Sequence, residues 1–368
     1  MALPPYSFSQ FGRTISQDNL KSFVVLLLIL ATIFFFNSIG RYEVIEEGLI
    51  TDPLFQDAGK NWFYSDKNIT FNASPENTIK LTSDSNDGYT YFYQRIKKKD
   101  DFKKLRFSID AKTKKVTKGD ESWKSARAVL IMYDKSGKAM YGFPHTLMEE
   151  YGDTDWQHYK RVFKLNEEAE EVMIAFQLMN ASGEMWVKNI VLESVEEKRS
   201  FIAFKLCFIL IWIIVGLWVA IPLVNNMAHS PLGKAALFIA LCIITAVILP
   251  ESIMRSVDRN IAYSLEEKKS ANNRREMSFS VFSLYKAGHF FMFFIVGFVL
   301  YIINNNKLTT IKLLFYIMLF ALATEVFQLF IDGRDAHLND FIIDIAGVAA
   351  AFIFGGAYLS MKIYIKKE

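Results

Sequence analysis

Two patterns of hydrophobic and polar positions alternate along this chain. One pattern consists of long apolar runs, each close to the roughly 20 residues that a helix needs to cross about 30 Å of hydrocarbon. Six such runs occur, at residues 22–40, 201–224, 233–254, 287–303, 312–331 and 341–363. They predict an α-helical membrane bundle of six transmembrane helices, interrupted after the first by a soluble domain.

The second pattern fills residues 41–200, where no apolar run is long enough to span a membrane. Residues 105–112 alternate strictly between apolar and polar side chains, and residues 172–178 alternate large apolar residues with Met, Ala and Gln. This period of two is typical of β-strands, and glycine-containing turns punctuate the segment. We therefore predict an all-β jelly-roll sandwich, with Trp62, Trp156 and Trp186 in its core.

The first apolar run admits two interpretations, a cleaved signal peptide or an uncleaved anchor. About 20 residues precede it, and no small-x-small cleavage site follows residues 37–40, so we interpret it as an anchor. The predicted organisation is a cytoplasmic N-terminus and first anchor at 1–40, an extracytoplasmic β-sandwich at 41–200 and a five-helix membrane domain at 201–368.

The orientation follows from the basic residues in the short loops. With six spans, these residues fall on one side, which the positive-inside rule assigns to the cytoplasm. They are Arg13, Lys21, Lys234, Lys307, Lys312, Lys362, Lys366 and Lys367. The loop 255–286 is rich in arginine and lysine and opposes this assignment, but the remaining loops outweigh it. Residues 41–200 are accordingly predicted to lie outside.

Composition agrees with a soluble domain inserted into a membrane protein, because 52% of the residues are hydrophobic while 22% are charged. A net charge of +3, with no basic tract interleaved with aromatic residues, argues against nucleic acid as a partner. The two cysteines, Cys207 and Cys242, both lie in apolar runs, so no disulfide framework is predicted.

Candidate chemistry is concentrated in the last apolar runs. Ionisable side chains at membrane depth cost roughly 2.5–3.5 kcal/mol each on insertion scales and usually serve a function. Glu325 and Gln328 are spaced i, i+3 on one helix, and Asp340 and Asp344 are spaced i, i+4 on the next, so two polar stripes are expected to face each other. His289 adds an imidazole at the start of an earlier span.

The order K-x-x-H-F, E-x-x-Q and G-R-x5-D-x3-D-x2-G, beginning at Lys286, resembles the VanZ-like family of bacterial membrane proteins over about the last third of the chain. The resemblance implies a multi-pass protein of the bacterial cytoplasmic (inner) membrane and, for the founding member, tolerance of a glycopeptide antibiotic. It supplies no settled reaction. The family pattern leads us to expect an asparagine at the position of Asp344, where a second carboxylate would make the cluster more acidic and more metal-prone.

These residues suit the binding of a phosphate and the transfer of a proton. The predicted catalytic residues are His289, Glu325, Asp340 and Asp344, and the predicted ligand-binding residues are Lys286, Gln328 and Arg334, with Arg334 on the phosphate. Three simpler interpretations compete: an interfacial anchor for His289, a solvated turn for Arg334 and an interhelical hydrogen bond for Glu325 with Gln328. The chain carries no nucleophile elbow, phosphate-cradling glycine loop or standard metal motif.

The cofactor is left unknown, and no metal ligand is assigned. Asp340, Asp344 and Glu325 offer an alternative as oxygen ligands for Mg²⁺ or Ca²⁺, so a divalent cation remains open.

The soluble segment also resembles carbohydrate-binding modules and galactose-binding-like jelly rolls. Its landmarks are residues 48–55 followed by Trp62, then residues 93–94, 155–159 and 186–192. Trp123 stands in a polar loop beside Asp120 and Glu121, a setting that suits stacking on a sugar ring. The alternative for Trp123 is a loop side chain folded back onto the sheet or onto the membrane interface.

Together these features predict an inner-membrane protein that recognises or processes an envelope glycolipid or polyprenyl-phosphate-linked glycan at the outer leaflet, with the β domain binding glycan. The alternatives are a non-catalytic glycan- or lipid-binding or transport protein, and a scaffold of an envelope polysaccharide synthesis complex. Whether the protein is an enzyme stays open. The predicted partners are a membrane lipid or lipid-linked glycan and envelope biosynthesis proteins.

Overall fold

The computed structural model describes residues 8–55, 61–65, 68–72, 77–86, 88–117, 119, 123–143, 145–248, 281–304, 309–331 and 336–365. The chain divides into two compact units, which are described separately. The β unit is Arg41–Lys198, and the membrane unit combines Met1–Gly40 with Arg199–Glu368.

The β unit consists of antiparallel strands in two sheets. The strands are β1 Tyr42–Glu46, β2 Phe63–Tyr64, β3 Ile69–Asn72, β4 Thr78–Ser83, β5 Tyr89–Lys97, β6 Lys104–Val116, β7 Ala126–Asp134, β8 Thr146–Glu150, β9 Gly152–Lys164, β10 Ala169–Met179 and β11 Gly183–Glu197. The six-stranded sheet has the order β3-β4-β11-β6-β9, with β1 also pairing with β11, and the five-stranded sheet has the order β2-β5-β10-β7-β8. The predicted all-β sandwich is confirmed.

The core of the β unit is formed by the facing sides of the two sheets. Strict alternation along β6 buries Leu105, Phe107 and Ile109 on one side, as the sequence predicted. At the centre, Phe92 on β5 stacks on the indole of Trp62, with ring centroids 4.2 Å apart. These aromatic side chains supply much of the buried apolar area that stabilises the sandwich.

Of the three tryptophans predicted in the core, only Trp62 is there. Trp156 and Trp186 are half-buried on the outer face of the six-stranded sheet. The ammonium of Lys112 lies 5.1 Å from the Trp156 ring and 4.6 Å from the Trp186 ring. Lys188 also lies over the Trp156 ring, and Lys80 also lies over the Trp186 ring. Both indoles are therefore covered by lysine side chains and stabilised by cation–π attraction instead of being packed in the core.

The membrane unit is helical. Its described helices are α1 Phe8–Ser38, α2 Arg199–Met227, α3 Pro231–Ile248, α4 Val281–Asn304, α5 Thr310–Gln328 and α6 Leu338–Ile365. Within the described residues, all six are long and apolar enough to cross a membrane, which confirms the predicted number of spans. The side on which each loop lies stays a prediction.

α1 packs against later helices of its unit. The indole nitrogen of Trp212 on α2 donates a hydrogen bond of 3.0 Å to the hydroxyl of Thr32 on α1. Phe35 on α1 stacks with Phe201 of α2 at 5.2 Å, and Trp212 also contacts Phe327 of α5. A buried hydroxyl that is hydrogen-bonded to an indole joins these helices specifically in an apolar setting.

α4 and α6 approach each other closely because glycines lie at their interface. A Cβ atom at Gly347 of α6 would overlap the carbonyl oxygen of Phe290 on α4, and one at Gly297 would lie 3.1 Å from the Cβ of Ala351. Small residues let membrane helices come into backbone contact. Phe290 follows His289 directly, so this contact sets the position of the imidazole relative to α6.

We expect residues 41–198 to fold independently, because both sheets and the core between them belong to this segment alone. The isolated fragment should give a β-type far-ultraviolet circular dichroism spectrum and a single cooperative thermal transition. A helical or unfolded spectrum would contradict this expectation.

Candidate functional site

Ionisable side chains from three membrane-spanning helices meet in the membrane unit. His289 lies on α4, Glu325 on α5 and Asp344 on α6. One ligand-type atom from each residue lies within 4.8 Å of the other two. We call these three residues the intramembrane cluster. The sequence placed them on separate helices, and the structure brings them together.

His289 and Asp344 form the closest pair in the intramembrane cluster. His289 Nδ1 lies 3.0 Å from Asp344 Oδ1, and the two side chains are 15% and 0% exposed. The second carboxylate oxygen, Asp344 Oδ2, is buried and has no hydrogen-bond partner among the described residues. Leaving such an atom unsatisfied costs about 1–3 kcal/mol, and more when the group is charged. Within the described part of the chain, this oxygen is therefore available to a ligand.

Glu325 is held in place by two hydrogen bonds. Its Oε1 accepts from Gln328 Nε2 at 3.3 Å on the same helix, and its Oε2 accepts from the backbone N–H of His337 at 3.2 Å. Both Glu325 and Gln328 are buried. The hydrogen bond from Gln328 therefore lies within α5. It orients the carboxylate of Glu325 towards the other two members of the intramembrane cluster.

The other residues predicted for this site have different surroundings. Asp340 is buried one turn before Asp344 on α6 but is not a member of the close group of three. Lys286 is half-buried on α4, three positions before His289. Arg334 lies outside the described residues, so its role as the phosphate ligand stays a prediction.

Trp123 is half-buried in the turn before β7, and the ammonium of Lys124 lies 5.4 Å from its ring. Asp120 and Glu121, the carboxylates expected beside it, lie outside the described residues. The predicted stacking of a sugar on Trp123 therefore remains a prediction.

A second candidate site, which was not predicted, lies on the outer face of the five-stranded sheet. Directly paired residues form a row across β5, β10, β7 and β8, in the order Tyr91, Gln177, Arg127 and Glu149. The Nε of Arg127 is buried, and no described residue is its hydrogen-bond partner. Burial lowers the pKa of Arg127 and raises that of Glu149, partly offset by their mutual attraction across 3.7 Å.

Aromatic side chains flank this polar row. Phe63 on β2 stacks on Tyr93 of β5 at 5.3 Å, and Tyr89 and Phe63 are strongly exposed. Aromatic side chains beside a few hydrogen-bonding groups are the composition of many ligand sites. We call this surface the tyrosine face. The sequence did carry a signal for it, because Tyr89, Tyr91 and Tyr93 occupy alternate positions of one strand.

Comparison with family models matches residues 235–358 to VanZ/LLP1. The matched segment contains the whole intramembrane cluster, and it confirms the resemblance found in the last third of the chain. A comparison with curated protein sequences finds no match.

Solved structures similar to the β region include carbohydrate-binding modules. The Family 16 Carbohydrate Binding Module-2 is 15% identical over 39% of this chain and 99% of its own length, with a TM-score of 0.29. TmCBM61, solved with β-1,4-galactotriose, is 14% identical over 39% of this chain and 96% of its own, with a TM-score of 0.26. The active domain of bacteriophage CBA120 tailspike protein 4 is 16% identical over 39% of this chain, at a TM-score of 0.31. The match spans only 21% of that tailspike domain.

Proposed function

We propose that this protein recognises or processes an envelope glycolipid or polyprenyl-phosphate-linked glycan at the outer leaflet of a bacterial cytoplasmic membrane. The observation that carries the proposal is the intramembrane cluster of His289, Glu325 and Asp344, buried among apolar helices. Ionisable groups at membrane depth are costly and are retained for function. A lipid-linked substrate reaches such a site because its hydrocarbon chain lies in the same bilayer.

The chemistry of the cluster supports a phosphate-bearing headgroup as the ligand. An imidazole held by a carboxylate is suited to accept or donate a proton, and the His289–Asp344 pair has this arrangement. Carboxylates repel a phosphate, so the site also needs positive charge. Lys286 and Arg334 are the side chains predicted to provide it.

The β unit supports the binding of the glycan part. Sugars are bound by stacking on aromatic rings and by hydrogen bonds to their hydroxyl groups. The tyrosine face offers both, since exposed Phe63 and Tyr91 lie on the same side of the sheet as Gln177 and Arg127. Trp123 remains a further predicted glycan contact.

Binding or transport without catalysis is the second candidate function. One observation favours it: both oxygens of Glu325 already accept hydrogen bonds, which leaves fewer groups available to move a proton. A charge-conserving change, Asp340→Glu, separates the two candidates. If the protein is an enzyme, the variant should lose turnover and retain binding. If it only binds or transports, the wild-type protein should show no turnover and the variant should bind as the wild type does.

Lipid-linked oligosaccharide should bind the purified full-length protein in nanodiscs more tightly than the polyprenyl phosphate that lacks sugar. Tyr91→Ala should weaken the binding of the oligosaccharide form about tenfold, because an aromatic stacking contact is worth about 0.5–1.5 kcal/mol beyond the area it buries. The same variant should leave the binding of the sugar-free lipid unaffected. Native mass spectrometry and a fluorescence competition assay provide the two affinities.

Trp186→Ala is the matched control, since this aromatic side chain lies on the outer face of the opposite sheet. Equal weakening by both substitutions would contradict the assignment of the tyrosine face. If neither lipid binds, the proposed function is wrong.

A further inference from the structure

We propose that the intramembrane cluster binds a divalent transition-metal cation, with Zn²⁺ the expected ion. His289, Glu325 and Asp344 would be its three protein ligands. This proposal deepens the proposed function, and rests on it, in that the cation would be the group that engages the lipid phosphate. Binding of the cation itself is measurable without any lipid.

The geometry of the cluster fits a single ion. Ligand atoms about 2.0–2.2 Å from one metal lie about 3–3.5 Å from each other. His289 Nδ1 and Asp344 Oδ1 are already 3.0 Å apart, and all three donor groups fall within 4.8 Å. Release of the proton between His289 Nδ1 and Asp344 Oδ1, together with small side-chain movements, would complete the coordination.

The unsatisfied oxygen of Asp344 is an independent observation that points to the same ligand. Asp344 Oδ2 is buried, its side chain is 0% exposed, and it has no hydrogen-bond partner in the part of the chain that the structure describes. Buried carboxylate oxygens are ordinarily hydrogen-bonded or bound to a metal. A cation between Asp344 and Glu325 would satisfy this oxygen.

The ligand types select among cations. Imidazole nitrogen with carboxylate oxygen suits Zn²⁺ and its neighbours, whereas Mg²⁺ and Ca²⁺ prefer oxygen alone. The oxygen-only set of Glu325, Asp340 and Asp344 that the sequence offered is thus revised, because His289 takes the place of Asp340 in the close group. Three protein ligands leave a fourth position open for water or a phosphate oxygen.

The net charge of the ligands and the hydrogen bonds that orient Glu325 are also consistent with a bound cation. Two ionised carboxylates, a neutral imidazole and a divalent cation sum to zero, which lowers the cost of placing the carboxylates in the bilayer. Gln328 and the His337 backbone orient Glu325, as outer hydrogen bonds commonly orient metal ligands. A phosphate that carboxylates would repel could then bind through the metal.

The test uses tag-free full-length protein in detergent, stripped with a chelator and titrated with Zn²⁺ alone. We expect one Zn²⁺ per chain by calorimetry and by elemental analysis. Asp344→Asn should weaken binding at least about a hundredfold, since the variant keeps the shape and a hydrogen-bond acceptor for His289 but loses the anionic ligand. His289→Gln should do the same.

His229→Gln is the matched control, because His229 is exposed in the connection between α2 and α3, and this variant should bind Zn²⁺ as the wild type does. Should the ligand variants fail to fold, Co²⁺ bound to the wild-type protein gives a second measurement, through visible absorption bands that Zn²⁺ abolishes. Absence of both Zn²⁺ and Co²⁺ binding by the wild type, or full binding by folded Asp344→Asn, would overturn the proposal. Metal-free protein that still binds lipid-linked glycan would leave the proposed function standing.

Discussion

His289→Gln is expected to lower the activity or phenotype that depends on this protein about a hundredfold or more, while the protein accumulates in the membrane at its normal level. Glutamine keeps much of the shape and a hydrogen bond to Asp344, but it neither transfers a proton nor replaces imidazole as a metal ligand. Loss of a positioned acid or base typically costs 10²–10⁴-fold. A cell-envelope phenotype, or turnover of a lipid-linked substrate, provides the measurement.

His229→Gln controls for the removal of a histidine from the same unit and should leave the readout unchanged. The level of each variant is compared by immunoblot of the membrane fraction. Normal function in His289→Gln would reduce the intramembrane cluster to a packing element and favour the scaffold interpretation of the protein.

Phe92→Ala is expected to lower the free energy of unfolding of the β unit by about 3–5 kcal/mol, the range for truncating a buried phenylalanine. Phe92 is 0% exposed. Its ring contacts Trp62, Phe55 and Phe176, so the cavity would open at the centre of the sandwich. Urea denaturation of the 41–198 fragment, followed by tryptophan fluorescence, measures the change.

Tyr89→Ala provides the comparison on the same strand. Tyr89 is 57% exposed, and exposed substitutions usually change stability by no more than about 0.5 kcal/mol. Similar losses from Phe92→Ala and Tyr89→Ala would show that the aromatic stack is not the centre of the core.

The broad architecture could be predicted because it depends on local patterns. The length of an apolar run is a property of the sequence alone, and all six predicted spans are helices over the residues that the structure describes. The alternation at residues 105–112 likewise gave the buried face of β6. Neither prediction required knowledge of which elements are neighbours.

Predictions that depend on which strands pair with each other were less complete. Alternation shows that Trp186 faces one side of a strand, but not which side is the core. On the outer side, two lysines on the neighbouring strands, Lys80 and Lys112, cover its indole. The row from Tyr91 to Glu149 joins four strands that are distant in sequence, so only their register reveals it.

In the candidate site too, local spacing could be predicted from the sequence, whereas contacts between helices could not. Helical spacing predicted that Glu325 and the acidic residues of α6 lie on polar stripes, and the structure brings Glu325 and Asp344 into one group with His289. The choice of Asp344 rather than Asp340 as the partner of His289 depends on how α6 is rotated against α4. That rotation is set by the backbone contact at Gly347, which the spacing of polar residues does not contain.

The pairing of the six-stranded sheet has a consequence for biosynthesis. β11, the last strand of the β unit to be translated, lies between β4 and β6 and also pairs with β1. Arg41 and Glu197 form an ion pair across 156 positions of sequence. Until β11 has left the ribosome, β1, β4 and β6 therefore lack the strand with which all three pair. The sheet is completed late, and nascent chains that stop short of residue 197 should be the ones most exposed to proteases and chaperones.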